Sequence, residues 1–220
     1  MSEGEASYHD DWPDITAAYD EVAADYAGLF AAELAGKPFD RELLDGFAGA
    51  VGGRGPVWDI GCGSAGHITR YLADRGVEVV GADVSPGVVA VARERQPGLE
   101  FRAADMRSLP IADGWLAGIV AFYSVIHLPR EQIPVALAEF RRVLAPGGSL
   151  LLAMHGGSGV TGSAQAFGHA VEVRVTLVSR AELAGLVEEA GLAVDWQQER
   201  DPYPTEYPTR RLYVWARHAA

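Results

Sequence analysis

The sequence predicts one α/β domain built on a mostly parallel sheet with helices on both faces. Three observations predict it. From residue 57 onward, short apolar runs of strand type alternate with runs of helical period, which implies right-handed crossovers and a sheet covered on both sides. The stretch VWDIGCGSAGHITRYLADRG, residues 57–76, sets Gly61, Gly63 and Gly66 in a G-x-G-x-x-G spacing between a strand and a helix. The length of 220 residues, 49% of them hydrophobic, suffices for one domain with a real core and is short for a two-domain oxidoreductase.

The elements follow in order. From about Asp14, Ile15, Tyr19, Val22, Tyr26, Leu29 and Phe30 recur at helical spacing. A second short helix near 41–51 ends in Gly52–Gly53. VWDI (57–60) is the first strand, and HITRYLADRG a helix stopped by Gly76. VEVVGADV (77–84) is the next strand, and Pro86 opens the following helix in its first turn, where proline is tolerated. LEFRAAD (99–105), WLAGIVAFYS (115–124) and SLLLAMH (149–155) are strands three to five, with the helix EQIPVALAEFRRVL before the last of them. GGSGVTGSAQAFGHA is too rich in small residues to be core, and VEVRVTLVS alternates in an extended way. SRAELAGLVEEAGL is a helix, and AVDWQQER and RRLYVWARH are two closing strands. The chain thus divides into an acidic tail (1–14) and one domain (15–220), with N-terminal helices at 15–52 and a segment at 156–178 that covers the substrate.

Composition narrows the function. A net charge of −12 with no basic stripe argues against nucleic acid, whose binding rests on neutralised phosphates. No apolar run reaches the roughly 18 residues of a membrane span, and the acidic start lacks the pattern of a signal peptide. Cys62 is the only cysteine, so no disulfide framework or cysteine-rich metal site is expected and a cytoplasmic location follows. A small molecule is the expected partner; the oligomeric state is not legible.

The glycine loop suits either a dinucleotide or S-adenosylmethionine, and the strand ends decide. Ligands of open parallel sheets sit beyond the carboxyl ends of the strands. Asp59, just before the glycines, would repel a pyrophosphate but suits an ammonium. Asp83 ends the second strand 20 residues after Gly63, placed to accept both ribose hydroxyls. Asp105 and Met106 end the third, a carboxylate for an adenine amino group and a side chain to lie along the ring. Three acids at three strand ends favour a cationic sulfonium.

VWDIGCGSAGHITRYLADRGVEVVGADVS, FRAADMRSLPI and LAEFRRVLAPGGSLLLAMH together resemble the class I S-adenosylmethionine-dependent methyltransferases, with specific motifs over about residues 15–155. The resemblance implies a Rossmann-like, doubly wound, seven-stranded sheet whose last strand runs antiparallel, plus an N-terminal helical lid. It puts Asp59, Gly61 and Gly63 under the methionine part of the cofactor, with Cys62 a small filler in that loop. Asp83 would hold the ribose, Val84 the adenine face, and Asp105 and Met106 the adenine edge. Phe122 and Tyr123 would line the site, and Tyr19 and Tyr26 would close over the cofactor. His67, in the first turn of its helix, is expected to face solvent.

The implied reaction is methyl transfer by in-line displacement to a small organic acceptor, a metabolite or natural product, with no metal. A base is needed only if the acceptor carries a proton, and His127 and His155, at the ends of the fourth and fifth strands, sit where one would act; a structural role for His127 is the alternative. Alternation in EVRVTL sets Glu172 and Arg174 on one face. The loop ERDPYPTEYPTRR, with Tyr203 and Tyr207, either recognises an anionic or aromatic acceptor or simply turns the closing hairpin. Two other readings stand beside this one. An NAD(P)-dependent reductase would need a Tyr-x-x-x-Lys pair, and the only lysine, Lys37, lies upstream of the glycine loop. A cofactor-binding regulator without catalysis shares every feature except turnover.

Overall fold

A computed structural model describes residues 15–163 and 168–219; the expected acidic tail lies outside them. Helix α1 (Ile15–Phe30) and α2 (Pro38–Val51) precede β1 (Val57–Ile60), α3 (His67–Ala73), β2 (Val79–Asp83), α4 (Pro86–Arg95), β3 (Glu100–Ala103) and β4 (Leu116–Phe122). Then come α5 (Ile133–Val143), β5 (Leu144–Gly156), β6 (Gly159–Ser163), β7 (Val173–Leu177), α6 (Arg180–Glu189), β8 (Leu192–Arg200) and β9 (Arg210–His218). Seven strands form one sheet in the order β3-β2-β1-β4-β5-β9-β8. The first five are parallel, and β9, the last in the chain, is antiparallel to both β5 and β8. This is the expected doubly wound sheet. Its order reverses between β1 and β4, so the crevice for a ligand opens above the ends of those two strands.

The local chemistry explains the elements. In α5, buried Ile133, Ala136, Leu137, Phe140 and Val143 recur at i, i+3, i+4 and i+7, the stripe of a helix laid on a core. With Leu183 and Val187 of α6 they fill one face of the sheet. Leu44, Phe47 and Val51 of α2 and Ile68 and Leu72 of α3 fill the other. Each large apolar side chain so buried contributes about 1.5–3 kcal/mol. Ser85 caps α4 by accepting from Val88 N at 2.9 Å, and Ser179 with Glu182 forms a capping box at α6.

Several expectations are corrected. Helix α2 begins at Pro38, earlier than the residue near 41 expected, because proline is accommodated in a first turn. Leu29, expected on the buried face of α1, is exposed, and Ala18, Ala23 and Ala27 are buried there beside Val22: the helix lies close enough that alanines make the contact. Strand β3 stops at Ala103, so Asp105 and Met106 fall in the loop beyond it. The small-residue stretch after β5 is not all irregular. Gly159–Ser163 pairs antiparallel with Val173–Leu177 as a separate two-stranded sheet, since backbone pairing asks nothing of side-chain size.

Candidate active site

The loop after β1 turns by three glycines in the left-handed region: Gly61 (φ 72°), Gly63 (φ 63°) and Gly66 (φ 55°). Gly61 also needs its missing side chain, since a Cβ there would run into Ser124, whose hydroxyl donates to Ile60 O at 2.7 Å. A Cβ on Gly63 would come 3.1 Å from the ring of Tyr26. Gly61 N and Cys62 N both donate to Ala82 O, which fixes the loop to β2. Asp59 lies behind this loop, fully buried, accepting from the Thr69 hydroxyl at 2.6 Å. Burial pushes its carboxyl up to about 6. It buttresses the loop rather than lining an open space.

Asp83 accepts from Gly63 N at 3.2 Å and Ser85 N at 3.1 Å, and burial raises its carboxyl to about 6. Helix α1 lies across it. Asp20 accepts from the Ser85 hydroxyl and from Gly87 N at 2.8 Å, and the Ser64 hydroxyl donates to Ala23 O at 2.5 Å. Tyr19 and Tyr26 pack edge to face, 5.6 Å between centroids, and burial, with Asp83 contributing, raises the pKa of both. The helix expected as a lid therefore sits closed over the strand ends.

Beneath it a cavity of about 630 Å³ runs from Gly61, Cys62, Tyr19 and Tyr26 past Phe122, Tyr123 and His127 to His155, Tyr207 and Arg211. Thr161, Val173 and Val175 of the β6–β7 hairpin close one side. Gly63, Asp83, Val84, Asp105 and Met106 do not line it. Asp105 is engaged by Arg107 through both carboxylate oxygens, which holds its pKa low, and Met106 packs on the core. Arg174 does not line the cavity either. In β7 it is Val173 and Val175 that face the cavity, and Arg174 pairs with Glu172 at 2.6 Å above a neighbouring groove. Tyr203 is a prop, its hydroxyl accepting from Phe39 N at 3.3 Å and its ring under Arg200. Of the three expected acceptor contacts only Tyr207 lines the cavity.

The two histidines are opposite tautomers. His127 Nδ1 lies 3.2 Å from Arg174 O, an acceptor only, so Nδ1 carries the proton and Nε2 accepts from the Tyr19 hydroxyl at 2.9 Å. Burial lowers its pKa to about 4. His155 Nδ1 accepts from Arg211 Nη1 at 3.1 Å, a group that can only donate, and also meets the Thr209 hydroxyl. The proton is then on Nε2. Burial, with Arg211, lowers the His155 pKa to about 3. In this arrangement the free ring nitrogen of His155 carries a proton, which suits a hydrogen-bond donor rather than the general base expected.

The far end of the cavity holds a network that the sequence did not reveal. Lys37 bonds Glu33 at 2.6 Å and Glu206 at 3.2 Å. Glu206, bonded to Arg200 at 2.7 and 3.1 Å, is held down to about 2 although burial opposes it. His67 is no solvent-facing residue: it lines the cavity, 3.1 Å from Glu33. Asp40 is 1% exposed and accepts from Tyr213 at 2.6 Å and Arg200 at 3.2 Å. The one available signal was Lys37 itself, a single lysine at the start of a helix.

Residues 57–148 match the model of a methyltransferase domain. A malonyl-[acyl-carrier protein] O-methyltransferase of Serratia marcescens is 37% identical over 93 residues, 42% of this chain and 35% of the relative. A demethylmenaquinone methyltransferase of Beutenbergia cavernae is 36% identical over 113 residues, 51% and 45% of the two chains. The chain thus spans less than half the length of these relatives. In fold it is similar to the 1,6-didemethyltoxoflavin-N1-methyltransferase of Burkholderia thailandensis, solved with 1,6-didemethyltoxoflavin and S-adenosylhomocysteine: TM-score 0.71, 20% identity, 100% of this chain and 94% of that one. In its sheet and glycine loop, and over residues 57–148 in sequence, the chain is similar to the class I S-adenosylmethionine-dependent methyltransferases.

The site fits that class's cofactor. The turn at Gly61 and Cys62 is open to the cavity and leaves no room for a side chain on Gly61. The rings of Tyr19, Tyr26 and His127 offer faces and edges beside it, a favourable setting for a cation. When bound, the cofactor supplies an activated methyl group on a sulfonium.

Proposed function

We propose that this protein transfers a methyl group from S-adenosylmethionine to a small organic acceptor. The observation that carries this reading is the single cavity joining the glycine loop to His155, Tyr207 and Arg211, which leaves room beyond the cofactor for a second molecule. The chain's own residues have clear roles in it. Gly61, Cys62, Tyr19 and Tyr26 hold the cofactor, and Asp83 takes its ribose once α1 has lifted. Phe122, Val173, Val175 and Tyr207 exclude water around the acceptor, and His155 orients it with a hydrogen bond. Alignment of this kind can remove about 7–11 kcal/mol of barrier. The name of one relative, a demethylmenaquinone methyltransferase, supports a small acceptor, whereas the malonyl-[acyl-carrier protein] O-methyltransferase is named for a group carried on a protein. The net charge of −12 argues against a nucleic acid.

Calorimetry with S-adenosylmethionine, S-adenosylhomocysteine and NADH tests the cofactor. The first two should bind and NADH should not. Release of S-adenosylhomocysteine over a panel of phenols, amines, carboxylates and sugars then finds the acceptor; methylation of tRNA or a protein with no small molecule accepted would refute the reading.

A further inference from the structure

Tyr123 is the one described non-glycine residue with positive φ, 54°, a conformation that a bulky side chain adopts only when its surroundings impose it. It follows β4 directly, and its backbone N–H is fixed to Ala153 O at 2.9 Å. The bend turns the ring into the cavity wall and sets its hydroxyl 2.8 Å from the hydroxyl of buried Tyr213. The direction of the bonds follows from the partners. Tyr213 has one proton, which goes to Asp40 Oδ1 at 2.6 Å, and Arg200 Nε, at 3.0 Å, can only donate to it. Tyr123 must therefore donate to Tyr213, and its own oxygen keeps lone pairs for the cavity.

We infer that the acceptor is a hydroxyl compound of phenolic type, and that its proton leaves through Tyr123 and Tyr213 to Asp40. This rests on the methyl-transfer reading. The acceptor oxygen forms the new O–C bond while the C–S bond of the sulfonium donor breaks, its electron pair going to sulfur. The acceptor proton passes to Tyr123 Oη, the Tyr123 proton to Tyr213 Oη, and the Tyr213 proton to Asp40 Oδ1. One positive sulfonium and one negative carboxylate become two neutral groups, a favourable change where water is excluded.

Asp40 is suited to receive the proton. Burial raises its pKa despite Lys37 and Arg200 nearby, and Oδ2 has no hydrogen-bond partner, Lys37 Nζ standing 4.0 Å away. Neither histidine competes, since His155 presents its N–H and the lone pair of His127 is taken by Tyr19. The aromatic and aliphatic walls formed by Phe122, Tyr123, Tyr207, Val173 and Val175 suit a ring.

The test uses the full chain with S-adenosylhomocysteine bound and 4-nitrophenol as probe, at a pH where the free probe is protonated. On the wild-type protein the probe should take on phenolate absorption, and the infrared difference spectrum should gain a protonated carboxyl band that Asp40→Asn lacks. On Tyr213→Phe, a conservative change checked by its melting curve, the probe should remain a phenol. With S-adenosylmethionine, kcat of Tyr213→Phe for phenols should fall about 10²–10⁴-fold with cofactor affinity unchanged. A wild type that leaves the probe protonated or unbound, or that methylates no phenol, overturns the inference, as does Tyr213→Phe behaving as wild type. Failure of the methyl-transfer reading itself is seen separately, as absence of S-adenosylmethionine binding by calorimetry.

Discussion

The hydroxyl of Tyr19 stands 2.9 Å from Nε2 of His127, tying the second turn of α1 to the turn after the central strand. With Asp20 on Ser85 and Gly87, it holds the helix down over Asp83. The expectation is that α1 lifts as the cofactor binds. Asp20→Ala removes one of these anchors, a bond of capping type worth about 1–2 kcal/mol. It should speed association of S-adenosylhomocysteine about 5–30-fold in stopped flow and raise amide exchange across residues 15–30. Unchanged association with unchanged exchange would show that α1 is not a lid.

His155 should behave as a donor. His155→Ala removes one neutral hydrogen bond to the acceptor, about 0.5–1.5 kcal/mol, so KM for the acceptor should rise about 2–13-fold. The shape of the pH–kcat profile should be retained. A loss confined to kcat, accompanied by disappearance of a limb of the profile, would restore the general-base role.

Asp83 makes stability depend on pH in a defined direction. Its folded pKa of about 6 lies above the ordinary 3.8, so between these values the folded state binds more protons than the unfolded one. Stability then falls as pH rises through that window, and the cost is complete above pH about 6. Asp59 titrates in the same range, so the variant comparison isolates the effect. Asp83→Asn should melt with the wild type below the window and above it at higher pH, by on the order of 1–3 kcal/mol. The same variant should bind S-adenosylmethionine at least about tenfold more weakly, because a charged acceptor of ribose hydroxyls is gone. Equal melting at all pH values would mean that Asp83 is not desolvated.

Much of this protein could be read from its neighbours in sequence. Strands, helices and the glycine turn depend on residues a few positions apart: the i, i+4 stripe of α5, the caps at Ser85 and Ser179, the left-handed Gly61. For the same reason the parallel sheet was legible, while the antiparallel run of β9 was implied only by the resemblance to the methyltransferases. The element ends were less so, because the pairing partner decides where a strand stops; Ala103 ends β3 where β2 ends at Asp83.

Tertiary structure decided the chemistry. Asp40 reaches Tyr213 across 173 positions and Arg200 across 160, separations over which no local pattern carries information. The alternation of β7 was visible, but only its partner β6 determined that Val173 and Val175 face the cavity and Arg174 faces away. The protons of the histidines were beyond the sequence for a simpler reason. A ring nitrogen donates or accepts according to what stands opposite it, and the carbonyl of Arg174 and the guanidinium of Arg211 are brought there by folding alone.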